Sequence, residues 1–143
     1  MKLFVASLTI LFCVGLAHSQ NGSCVKLTAE ETTREGYTAT VVSKEKKPFK
    51  TLTGKAVFGV NKEPVEDVFV EVFAVVSKDK ELKRVAGCRT GADGRFYFAD
   101  LQKGKYILRF SKAGGYKITE ITVKVSPKSK RSEEIIGFVE VGT

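Results

Sequence analysis

From Thr53 onward, apolar and polar residues alternate in short runs that turn residues interrupt. Residues 53–60 form the first run, which Gly59 and Asn61-Lys62-Glu63-Pro64 end. Residues 68–76 are almost continuously apolar, as expected of a central strand covered on both faces. Residues 82–90 alternate weakly after a polar hairpin at 77–81. Asp93-Gly94 is a strong turn signal and launches 95–98, where Phe96 and Phe98 share one face and Arg95 and Tyr97 the other. Lys103-Gly104 turns the chain into 105–111, with Tyr106, Leu108 and Phe110 in phase. Gly114-Gly115 precedes 118–125, and a loop at 127–131 precedes 134–141. No stretch sustains apolar spacings of three and four, so helices are minor, and seven short strand-like runs with glycine turns predict an all-β sandwich or barrel.

The preceding region has a different composition. Residues 20–52 are polar and threonine-rich, with a basic cluster at Lys44, Lys46, Lys47 and Lys50 broken by Glu45 and Pro48. It reads as an extension with one or two short strands. The best candidate is 37–43, where Tyr37, Ala39 and Val41 alternate with Thr38 and Thr40. At the start, Met1-Lys2, an apolar run from Leu3 to Leu16 and Ala17-His18-Ser19 fit a secretory leader cleaved after Ser19. That run is shorter than the roughly 20 residues needed to span a bilayer. The expected division is therefore a leader at 1–19, an extension at 20–52 and a β-sandwich domain at 53–143. Export would be to the extracellular space or the periplasm. A lipid anchor on Cys24 is a poor fit, because no apolar residue stands three places before it.

Removal of the leader takes the only histidine, His18, with it. Such a mature chain lacks the commonest general base and the commonest ligand of zinc, copper and non-haem iron. Ser/His/Asp and Cys/His nucleophile systems are excluded as well. The reading is therefore a protein that is not an enzyme and needs no cofactor or metal. Of the three cysteines, Cys13 leaves with the leader, and Cys24 and Cys88 remain as an even pair in an oxidising compartment. One reading is a disulfide, which would close a loop of about 65 residues and stabilise by roughly 4 kcal/mol through chain entropy. The other is a buried apolar Cys88 with a free Cys24 thiol.

The series Pro64-Val65-x-x-Val68-x-Val70, Thr90-x-x-x-Gly94-x-Phe96-x-Phe98 and Leu101-x-x-Gly104-x-Tyr106-x-Leu108 resembles the carboxypeptidase regulatory-like domain, within the transthyretin-like or prealbumin-like group. The resemblance covers about 53–143. It implies a seven-stranded Greek-key β-sandwich that serves as an accessory or binding module. Enzymes of that wider group do not fit. Hydroxyisourate hydrolases use histidines and a Tyr-Arg-Gly-Ser ending, whereas this chain ends Val139-Glu140-Val141-Gly142-Thr143. Intradiol dioxygenases hold iron with two histidines and two tyrosines. Pilin domains of the Cna-B type join a first-strand lysine to a last-strand asparagine. Lys55 could donate, but no asparagine or aspartate follows Asp100.

Charge carries the remaining signal. The chain has a net charge of +8, and without Lys2 it is +7, with 23 Lys and Arg against 16 Asp and Glu. This balance favours acidic partners, and no nucleic-acid motif accompanies it. Lys44, Lys46, Lys47 and Lys50, with Lys128, Lys130 and Arg131, are the candidate patch for an anionic partner; solvated loops are the blander account. Tyr97 and Tyr116 are candidate ligand contacts, although a core position serves Tyr116 equally well. Glu66 and Asp67 sit together at a strand entrance and could form a weak cation site, while Asp93 and Asp100 flank a hairpin; calcium loops use denser carboxylates than this, and solvated turn residues are the blander account. Glu30, Glu31 and Glu35 pair most simply with Arg34 and nearby lysines. Asn21-Gly22-Ser23 is an N-glycosylation acceptor in a eukaryote. The functional expectation is a noncatalytic binding or adaptor module that recognises a protein or an anionic polysaccharide of the envelope or extracellular space. The alternatives are a self-assembling structural protein and a transthyretin-like carrier of a small ligand.

Overall fold

Nine strands and no helix occupy the described residues: β1 (Val25–Lys26), β2 (Thr40–Lys44), β3 (Leu52–Phe58), β4 (Phe69–Val75), β5 (Leu82–Arg89), β6 (Arg95–Phe98), β7 (Gly104–Ser111), β8 (Ile118–Val125) and β9 (Ile135–Val139). The computed structural model describes residues 24–28, 40–76, 78–79 and 81–142. The leader, the Asn21-Gly22-Ser23 acceptor, the Glu30, Glu31, Glu35 and Arg34 group and the start of the 37–43 run lie outside them. Each of the seven strands expected after residue 52 has its counterpart in β3 to β9. The two strands before them both join the larger sheet.

That sheet has six strands in the order β1-β5-β4-β7-β8-β2, and a three-stranded sheet, β6-β3-β9, packs against it. Most neighbours are antiparallel, but β2 runs parallel to β8 and β9 parallel to β3. The two sheets are joined by alternation: inward residues of one meet inward residues of the other. Val70 and Val72 of β4, Leu108 and Phe110 of β7 and Val123 of β8 face Leu52, Ala56, Phe96 and Ile135, all at most 5 % exposed. Apart from Ala56, each of these side chains contributes about 1.5–3 kcal/mol on leaving water. The Phe96 and Phe110 rings meet edge to face with centroids 5.4 Å apart, the preferred arrangement of two aromatic quadrupoles.

Two residues of the series that carries the resemblance have mechanical roles. Gly94 takes a φ of 67°, and a Cβ there would come within 2.5 Å of the Ala56 carbonyl oxygen, so only glycine makes the turn into β6. Thr90 is 3 % exposed; its hydroxyl donates to the Val65 carbonyl (2.8 Å) and accepts from the Val68 amide (2.9 Å), pinning the segment that leads into β4. The weak alternation of 82–90 also has a cause. Val72 pairs with Ala86 but Phe73 with Arg84, so β5 carries one extra residue at a bulge and its phase shifts midway.

The unbroken apolar run of β4 conceals one charge. Val70, Glu71 and Val72 are all fully buried, Glu71 on the outer face. Arg84 Nη1 lies 3.6 Å from Glu71 Oε2, and Arg84 Nη2 donates to the Thr28 carbonyl at 2.9 Å. Leu27, 6 % exposed, closes over the pair, and its amide donates to the Gly87 carbonyl at 2.9 Å. Gly87 has no side chain to fill the space where Arg84 and Leu27 meet; a Cβ there would lie 3.1–3.3 Å from both. The covering segment is tied down by the Cys24–Cys88 disulfide, with Cα atoms 5.3 Å apart and a sequence separation of 64.

Candidate functional site

At one end of the sandwich β2, β4, β6 and β8 finish and β3, β5, β7 and β9 begin. The two basic stretches of the sequence meet there. After β2, the Glu45 amide donates to the Thr122 carbonyl (2.9 Å), and the Phe49 amide donates to that of Lys124 (2.8 Å). Phe49, 1 % exposed, forms a bridge with Val125 and anchors the first loop in the core. The second loop follows β8. Ser129 Oγ donates to the Pro48 carbonyl at 2.7 Å, and the Lys50 amide donates to the Arg131 carbonyl at 3.0 Å.

Arg131 closes this junction. Its guanidinium carbon lies 3.9 Å from the Phe49 ring centroid, Nη1 donates to the Lys47 carbonyl (2.9 Å), Nη2 pairs with Glu45 (3.1 Å), and Nε pairs with Glu133. The planar fork allows all four contacts at once, which an ammonium group could not reproduce. Partial burial works against the charge, but the hydrogen bonds and Coulombic attraction of Glu133 and Glu45 outweigh it and hold the guanidinium above its ordinary pKa. Arg131 therefore acts as the clamp between the loops, and the nearest acids are engaged with it.

Around that clamp Lys44, Lys46, Lys47, Lys50, Lys128 and Lys130 are all exposed. None of the six forms an ion pair or side-chain hydrogen bond with another described residue. Three lysines that the sequence reading had not singled out extend the group. Lys105 of β7 stands directly opposite Lys124 of β8, both exposed on the outer face of the large sheet, and Lys103 is exposed in the turn before β7. Like charges directly opposite one another destabilise a sheet, so this pair does nothing for the fold. Their alternation out of phase with Tyr106 and Val123 marks them as outward-facing. Their position beside the other lysines depends on strand register.

The two candidate tyrosines are not brought together. Tyr97 is 62 % exposed on β6, near the lysine end. Tyr116 lies at the opposite end, half-buried, bridged to Val141, with its ring 6.2 Å from that of Phe58. At that end Asp67 pairs with Arg89, and Asp93 Oδ1 accepts from the Arg95 amide as a turn cap. Among the described residues no group of three or more His, Cys, Asp or Glu is arranged to hold a metal ion. The β9 partner of Lys55 is Ile136, which offers no acyl group for a side-chain crosslink. What the lysine end can do chemically is concentrate positive charge over a broad, open surface, which suits an extended anion better than a small one.

Residues 50–136 match the family model described as SpaA, prealbumin-like fold domain. No curated protein matches the chain. Among solved structures the chain is similar to transthyretin from Sparus aurata, at 18 % identity over 55 % of this chain and 78 % of that one, with a TM-score of 0.44.

Proposed function

The chain belongs to the prealbumin-like fold domain family, and from that premise we propose that it is a noncatalytic, exported binding module whose lysine end recognises an anionic polysaccharide. Within that group we assign it to the carboxypeptidase regulatory-like kind, on the pattern that runs from Pro64 to Leu108. The observation that carries the functional reading is the junction at Arg131. Two loops about 80 residues apart are held together there so that six exposed lysines surround one clamped arginine. The disulfide supports an oxidising compartment.

The test is binding of the exported protein to immobilised heparin and polygalacturonate at low and high salt. Each lysine near an anionic surface contributes about 1 kcal/mol, so the combined change Lys46→Glu, Lys47→Glu, Lys128→Glu and Lys130→Glu lowers affinity by about two orders of magnitude or more. The control at the opposite end, Lys112→Glu with Lys117→Glu, leaves it within about threefold, as expected of charges beyond a Debye length of about 8 Å. Equal losses from both sets would reduce the interaction to net charge and sink the assignment of a site. A second reading, self-assembly through β2, is supported by one observation: among the described residues β2 is an edge strand, with Val42 66 % exposed. A mass that rises with concentration and is abolished by Val42→Lys would favour it.

A further inference from the structure

The outer face of the three-stranded sheet carries a narrow strip of exposed rings and alkyl groups. Tyr97 on β6 is 62 % exposed, and Ile136 and Phe138 on β9 are each 38 % exposed. They alternate with buried Phe96, Phe98, Ile135 and Val139, which places all three on the side away from the core. The register sets Tyr97 opposite Thr53, Ile136 opposite Lys55 and Phe138 opposite Val57. Four residue steps of about 3.3 Å and two strand spacings of about 4.8 Å separate the first of these from the last by roughly 16 Å.

The strip is basic as well as apolar. Lys55 lies in its middle row, and Lys62 Nζ lies 4.3 Å from the Phe138 ring centroid. Arg95 and Glu134 pair across it and contribute no net charge. Its Tyr97 end adjoins the lysine end, because the loop carrying Lys46, Lys47 and Lys50 runs directly into β3, whose second residue pairs with Tyr97. The two surfaces are therefore continuous.

We propose that this strip is a second subsite for the polymer held at the lysine end, and that the polymer is an acidic polysaccharide whose sugar rings stack on Tyr97. The proposal rests on the reading of the lysine end given above. A pyranose presents a face of weakly positive C–H bonds, which meets the negative face of an aromatic ring, while its hydroxyls and acid groups stay in water. A ringless polyanion has nothing to place there. A folded protein partner fits less well: three strands by five residues cover roughly 240 Å², against about 800 Å² per side in a standard interface.

The experiment compares heparin and polygalacturonate with inorganic polyphosphate as probes, using the exported protein and its Tyr97→Ala and Tyr97→Trp variants. Tyr97 is exposed on an edge strand, so neither variant threatens the core. Tyr97→Ala is expected to weaken binding of both polysaccharides by about three- to tenfold and leave polyphosphate binding unchanged. Tyr97→Trp retains or strengthens polysaccharide binding, with quenching of the new indole fluorescence on titration. Equal loss for all three probes, no loss for any, or binding of polyphosphate without either polysaccharide overturns the subsite. Failure of the quadruple lysine reversal to weaken polyphosphate binding would overturn the reading of the lysine end itself.

Discussion

The two ends of the sandwich carry similar residue types and use them differently. At the opposite end three lysines already have partners: Lys62 donates to the Gly59 carbonyl and lies over Phe138, Lys112 donates to the Glu66 carbonyl, and Lys117 lies 3.8 Å from Glu140. At the lysine end the neighbouring acids Glu45 and Glu133 are held by Arg131, and Lys44, Lys46, Lys47, Lys50, Lys128 and Lys130 extend into solvent. Formal net charge does not distinguish these cases. A cation engaged with a carbonyl or carboxylate is partly neutralised before any ligand arrives, whereas an unengaged one contributes its full potential to the surrounding solvent.

Replacing both Cys24 and Cys88 with serine is the largest perturbation that should leave this contrast intact. The crosslink lies on the β1 flank, where it holds Leu27 and Thr28 over the Glu71–Arg84 pair, toward the end opposite the lysines. Its loss should lower stability by about 4 kcal/mol in urea unfolding while polyanion affinity stays within about twofold. A parallel collapse of affinity would mean that the lysine end depends on that flank, and the contrast between ends would lose its meaning.

A sharper probe is Arg131→Lys, which keeps the charge and removes the fork. Losing the separate contacts of the fork with Glu45, Glu133 and the Lys47 carbonyl, and the ring contact with Phe49, should lower the urea midpoint. It should also weaken heparin binding by about fivefold. If affinity is unchanged, charge alone governs the site and Arg131 does not position the lysines.

The smallest effect concerns Tyr106, whose phenol donates to the Gln102 carbonyl at 2.6 Å and ties down the turn carrying Lys103. Burial raises its pKa above the ordinary value of 10.0. A folded-state value above the unfolded one means that this group's stabilisation is complete below about pH 10 and declines as pH rises through the raised value. Tyr106→Phe should therefore flatten the alkaline limb of the stability curve and cost about 1 kcal/mol at neutral pH. An unaltered alkaline limb in the variant would assign that limb to another group.

Much of this molecule is encoded locally. Alternation in 95–98, 105–111 and 118–125 specifies which side chains face the core, and Asp93-Gly94 specifies where the chain turns, because a period of two and the positive φ of Gly94 are properties of adjacent residues; Gly104 instead opens β7, and the positive φ of that connection falls on Asp100. The strands β3 to β9 were legible for that reason, and the Cys24–Cys88 pairing was one of two readings that counting cysteines allowed. The bulge at Val85, the buried Glu71 within an apparently apolar strand and the short β1 pairing were not legible, since each depends on which strand lies alongside. The lysine end belongs to the same class. Two basic loops could be named from the chain, but their convergence required β2 to pair in parallel with β8 and Arg131 to reach Glu45. The addition of Lys105 and Lys124 required a particular register between β7 and β8. Local sequence determined the strands, their faces and their turns. Tertiary structure alone decided which charges became neighbours, because electrostatic contact depends on distance in space and strand pairing joins residues far apart in the chain.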